Sequence, residues 1–130
     1  MPLIRIDLIR GRDPLVLRAL ADTVHEALVA TFATPPLDRY QVITQHDPGE
    51  MILLDTGLGI QRSANGVVLI QVTQQGRTQE QKKALYAALA ERLAKRGLVA
   101  PTDLVVSISE NTRADWSFGL GKAQFLTGEL

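Results

Sequence analysis

The 130-residue chain balances fourteen basic against fourteen acidic side chains, and 45% of its positions are hydrophobic, which suits one compact domain with a sizeable core. No basic stretch alternates with aromatics and no apolar run approaches the roughly 20 residues of a membrane helix, so nucleic-acid and membrane roles drop out. With no cysteine and two separated histidines, disulfides, thiolate nucleophiles and a zinc site drop out too, leaving amines, carboxylates, guanidinium groups and hydroxyls, in a chain whose lack of a signal-peptide pattern predicts a cytoplasmic address.

In chain order, Pro2 directly follows Met1 and opens a strand-like run, Leu3 to Ile9. If Met1 is trimmed, Pro2 presents a secondary amine; a terminal amine ionises near pH ~8, and an apolar pocket lowers that value. By itself a Met-Pro start is common and carries no chemistry. Asp13 as N-cap with Pro14 at N1 then opens a helix, with Leu17, Leu20, Ala21, Val24 and Leu28 on one stripe and Thr34-Pro35-Pro36 as the stop. Tyr40 to Gln45 reads as the next strand, and Met51 to Arg62, with Gly57 and Gly59, as a hairpin or an extended excursion.

The second half repeats the first at a shift of 65 residues. Gly11-Arg12-Asp13 falls on Gly76-Arg77-Thr78, Leu20, Val24 and Leu28 fall on Leu85, Leu89 and Leu93, and Asp38 falls on Asp103. Thr78 with Gln81 forms a capping box, Ala84, Leu85, Ala88, Leu89 and Leu93 point inward, Gly97 ends the helix, and Leu104 to Ser109 is the last strand. The chain therefore reads as an α/β (α+β) domain, residues 1–130, of two tandem βαβ units (about 2–50 and 67–115) forming a four-stranded sheet with both helices on one face. Ile4, Ile6 and Leu8 are out of phase with Val68, Ile70 and Val72 under that shift, which predicts a bulge or a one-residue difference. No third helical segment is apparent, so the second face of the sheet is expected to pack against copies of the same chain.

An amino-terminal proline, a doubled βαβ unit and Gly76-Arg77-Thr78 before the second helix together resemble the tautomerase superfamily. Asp38-Arg39-Tyr40-Gln41, Asp55-Thr56-Gly57-Leu58-Gly59, Asp115-Trp116-Ser117-Phe118-Gly119 and Phe125-Leu126-Thr127-Gly128 resemble its malonate semialdehyde decarboxylase group, over essentially the whole length. The resemblance implies a homotrimer without metal or organic cofactor, acting on a small-molecule carboxylate. It implies a catalytic amine at Pro2, a carboxylate partner at Asp38, a catalytic guanidinium at Arg77 that takes the substrate carboxylate, and a substrate-binding position at Gln75. It also implies an aromatic wall of Trp116, Phe118 and Phe125, with Leu130 as a further candidate. Where the decarboxylases carry the first of two arginines, this chain has Gln75, which can offer only a neutral hydrogen bond.

The implied reaction is keto-enol tautomerisation of a 2-oxo acid or similar short carboxylate with neutral Pro2 as base; the alternative is decarboxylation or hydration with Pro2 cationic. A catalytically inactive ligand-binding oligomer is the reading from a different class, and retention of Met1 would favour it. By residue type alone Asp38 is equally a turn residue, the three aromatics equally core or interface, and His25 and His46 structural. Gly57-Leu58-Gly59 and Gly119-Leu120-Gly121-Lys122 lack the spacing and following helix of a phosphate loop. Arg77 sits beside the N-terminus of its own helix, where a cation does nothing for the macrodipole.

Overall fold

The computed structural model describes residues 1–130. Strand β1 (Leu3–Ile9) leads to helix α1 (Pro14–Phe32) and strand β2 (Tyr40–His46); strand β3 (Val68–Gln75) leads to helix α2 (Gln79–Lys95) and strand β4 (Leu104–Asn111). The sheet order is β2-β1-β3-β4, parallel within each βαβ unit and antiparallel where β1 meets β3. Neither helix is long and apolar enough to cross a membrane.

Local chemistry sets the helix ends. The Asp13 carboxylate accepts from the Leu15 amide at 2.9 Å, and Ala33 closes α1 in the left-handed region at φ 52°. Thr78 and Gln81 bond each other reciprocally at the start of α2, and Gly97 (φ 68°) turns the chain so that Leu98 donates to the Leu93 carbonyl. Leu85, Leu89 and Leu93 are fully buried, whereas Ala84, expected inward, faces solvent. The inward stripe of α2 follows single i, i+4 steps and is too narrow to include it.

The core lies between the helices and one sheet face. Ile4, Ile6, Leu8, Val68, Ile70 and Val72 meet Leu20, Val24, Leu28, Phe32, Leu85, Leu89 and Leu93 there. The phase conflict between the first strands is resolved without a bulge, since all three strand pairings run unbroken. Four residues, Arg10 to Asp13, join β1 to α1, but only three, Gly76 to Thr78, join β3 to α2. The one-residue difference therefore sits in the turn, and β1 corresponds to β3 at a shift of 66, which puts Gln74 where the first unit has Leu8.

The other sheet face carries Leu3, Arg5, Asp7, Tyr40, Val42, Leu69, Gln71, Thr73 and Val105, alternate residues that no helix covers. Its ends are crossed by two irregular segments. The first, residues 47–67, is an extended excursion rather than a hairpin; Arg62 anchors it to the Leu54 carbonyl at 2.7 Å and the Thr102 carbonyl at 2.8 Å. The second follows β4 and contains a short helix, α3 (Gln124–Thr127), a helical turn that the sequence pattern did not suggest.

Candidate active site

Register brings the candidate residues to one end of the sheet. Leu3 pairs with Tyr40 and with Thr73, and Gln75 pairs with Asn111, so the starts of β1 and β2 lie beside the ends of β3 and β4. Pro2 is buried there, directly before β1. Asp38 arrives on the α1–β2 loop and Arg77 on the β3–α2 turn.

Sequence reasoning overlooked the residue that connects them. Gln74 is 1% exposed, and with its amide oriented to satisfy its neighbours, Oε1 accepts from Arg77 Nη2 at 2.7 Å and Nη1 at 3.1 Å, while Nε2 lies 2.8 Å from the Pro2 nitrogen and 3.3 Å from the Met1 carbonyl oxygen. While Met1 is attached, the Pro2 nitrogen is an amide with no lone pair to offer; the 2.8 Å contact becomes a hydrogen bond only when that nitrogen is a free amine. The signal was present in the alternation Val68, Ile70, Val72, Gln74, which puts a polar residue at an inward position.

Arg77 is firmly seated. Nη1 donates to the Gln75 and Gly76 carbonyls at 3.1 and 3.0 Å, Nη2 to the Phe32 carbonyl at 3.3 Å, and the guanidinium lies 5.3 Å from the Phe32 ring centroid. Helix α1 has no basic residue in its last turn, and Arg77 supplies from the other repeat the cation that its terminal carbonyls favour. Arg77 thus has a helix role that its place in the sequence concealed. Partial burial holds its pKa below the usual guanidinium range.

Asp38 is half-buried, and the hydrogen bond that shapes its loop, from its amide to the Pro35 carbonyl at 2.9 Å, uses the backbone and leaves the carboxylate unspent. The Met1 amino group, one residue before Pro2, has its pKa pulled down, first by burial, with Asp38 raising it and Arg77 lowering it. Both charged side chains therefore act on the same amine.

The aromatics form a second group around the sheet end. Trp116 stacks on Phe118 with centroids 5.3 Å apart, Phe125 meets Phe118 edge-on at 5.6 Å, and Tyr40 packs on Phe118 at 5.6 Å. The indole nitrogen donates to Asn111 Oδ1 at 3.1 Å, and Gln124 clamps the turn by accepting from the Phe118 amide and donating to the Gly119 carbonyl. Held at β4 through Asn111 and at β2 through Tyr40, this segment must pass the ends of β3 and β1 between them. Tyr40, Gln75 and Asn111 share the uncovered face, whereas Gln74 lies on the helix face. Gln75 Oε1 is buried with no hydrogen-bond partner, and Leu130 is 59% exposed. His25 bonds the Pro36 carbonyl and His46 bonds Asp7, both structural contacts.

Two family models, each described as tautomerase enzyme, match residues 2–61 and 38–119. Over all 130 residues of both chains this one is 53% identical to the probable tautomerase YrdN of Bacillus subtilis (strain 168). It is 33% identical to the probable tautomerase YusQ of the same organism, over 97% of this chain and 99% of the relative. Among solved structures, a malonate semialdehyde decarboxylase described with decarboxylase and hydratase activities superposes with a TM-score of 0.94 at 46% identity, covering 98% of each chain. Another, inhibited by 3-bromopropiolate, gives 0.94 at 52% identity, covering 98% of this chain and 97% of that one. These likenesses identify the chain as a member of the tautomerase enzyme family.

Proposed function

We propose that the protein is a cofactor-independent tautomerase in which the Pro2 amine, freed by hydrolysis of the Met1–Pro2 bond, moves protons on a 2-oxo acid or similar short carboxylate. The observation that carries this reading is the chain of contacts Arg77–Gln74–Pro2. It directs an N–H donor at the proline nitrogen, which favours the neutral form that a base must have before the lone pair turns to substrate. Burial at this chain end, which lowers the pKa of the Met1 amino group, favours a neutral Pro2 amine in the same direction. Asp38 stabilises the cation formed once the base has taken its proton, and Trp116, Phe118 and Phe125, joined by Tyr40, wall the substrate. The protein works as a homotrimer; exposed Leu37, Ile52, Leu54, Leu58 and Leu120, together with the uncovered sheet face, supply apolar surface for association.

Keto-enol conversion of phenylpyruvate tests the reading. Protein shown by intact mass to lack Met1 should turn it over, and Pro2→Ala should lose about 100- to 10,000-fold in kcat/KM. Turnover retained in that variant would remove Pro2 as the base. A second reading, malonate semialdehyde decarboxylation or hydration of an acetylenic acid, is favoured by the likeness to two such decarboxylases. Gln75→Arg supplies the guanidinium that resemblance expects at this position, and product analysis should show decarboxylation rising if that charge is what limits it.

A further inference from the structure

We propose that Arg77 acts on the reaction through Gln74, locking the side-chain amide so that its N–H faces Pro2 and the mature amine is held in its neutral, proton-accepting form. The inference rests on the proposed role of Pro2 as base and assigns Arg77 as a positioning residue rather than a direct substrate clamp.

A primary amide has one accepting end and one donating end, and a guanidinium can only donate. With two Arg77 nitrogens at 2.7 and 3.1 Å from one end of Gln74, that end must be the oxygen, because the reversed amide would oppose donor to donor. The other end, Nε2, is then fixed 2.8 Å from the Pro2 nitrogen. A neutral secondary amine accepts that hydrogen bond through its lone pair. A protonated one has no lone pair and would meet a donor with a donor, in a place where Gln74 is almost fully buried and water cannot substitute.

Arg77 cannot readily leave this post. Its Nη atoms also hold the carbonyls of Gln75, Gly76 and Phe32, and its guanidinium carbon lies over the Phe32 ring, 5.3 Å from the centroid. The opposing influence is Asp38, from the α1–β2 loop, which favours a cation; at the Met1 amino group, one residue away, Asp38 and Arg77 are the two charged side chains that act. Asp38 draws a proton to the amine, while Gln74, set by Arg77, releases it. In the first repeat the position of Gln74 holds Leu8, which has no amide to lock.

A direct charge effect of Arg77 would also lower the amine's pKa, so the test must separate the two routes. We would titrate Pro2 by nitrogen NMR in Met1-free wild type, Arg77→Met, Gln74→Met and the double variant. When Arg77 is removed, Gln74 is free to reverse and present its oxygen to a protonated amine. The Pro2 pKa should therefore rise about one unit more on Arg77→Met in the wild-type background than in the Gln74→Met background. Equal rises in both backgrounds would leave only direct repulsion and overturn the lock, as would no rise in either. A second measurement needs no variant: nuclear Overhauser contacts from the Gln74 amide protons to the Pro2 ring support the lock, and contacts to the Arg77 guanidinium protons without any to Pro2 overturn it. Turnover is scored separately. The expected pKa pattern in a protein whose activity survives Pro2→Ala would uphold the lock and reject the base.

Discussion

The two ends of the β1–β3 pair are built from the same parts and use them differently. At one end Pro2 lies one residue from the chain start, Asp38 keeps an unspent carboxylate, and Arg77 reaches Pro2 through Gln74. At the other end the repeat offers Val68, Asp103, Arg12 and Leu8. Asp103 is 3% exposed and accepts the Ser63 amide at 2.6 Å. Arg12 donates to the Ile9 and Gly66 carbonyls at 3.4 and 3.2 Å, and Leu8 pairs with Val68 across the strands. There the chain is continuous through Gly66 and Val67, so no amine exists and the carboxylate closes a loop instead. An aspartate and an arginine at matching positions do not make a site; what distinguishes the first end is a chain terminus and a carboxylate left without structural work.

Exchanging function for stability across that pair gives the largest contrast. Asp38→Asn should lower kcat/KM on phenylpyruvate by about 10- to 100-fold with little change in melting temperature. Asp103→Ala should do the reverse, costing about 1–3 kcal/mol in denaturant unfolding because the Ser63 amide loses its partner. If Asp103→Ala proved harmless to stability, the second end would not be the structural clasp described here.

A further contrast separates two glycines, one just before the second repeat and one within it. A Cβ on Gly66 would fall 2.5 Å from Asp103 Oδ2, whereas one on Gly76 meets nothing within 4 Å. Gly66→Ala should therefore destabilise by about 1–3 kcal/mol, and Gly76→Ala should stay within about 0.5 kcal/mol, both read from urea midpoints.

The mildest test is a pH profile. A base must be neutral to accept a proton, so kcat/KM should fall as pH drops through the pKa of the amine. Burial, outweighing the pull of Asp38, lowers the pKa of the Met1 amine, and the same cause acting on a freed Pro2 amine should place the acid limb below the ordinary terminal-amine value of about 8. An acid limb at or above that value would mean that Asp38 prevails over burial and Gln74.

Much of this protein was legible in its residues. The caps at Asp13 and Thr78, the stop at Gly97, the inward leucines and the 65-residue repeat are local or periodic signals, and all appear in the fold. They persist because propensity, capping and burial agree along each element. The aromatic ending was visible as a sequence pattern, but its attachment to Tyr40 and Asn111 depends on which strands lie at the sheet edges. Likewise the phase conflict between the two first strands could be seen, while its resolution in a shorter turn required the register.

What the sequence determined by itself was the inventory: two βαβ units, a proline that can become an amine, and no thiol or histidine cluster for other chemistry. Only the tertiary structure decided which arginine of the repeated pair reaches that proline, and that Gln74 connects the two. Repeats supply equivalent side chains, but hydrogen-bond partners are assigned in space, where a chain terminus and a continuous chain leave different groups unsatisfied.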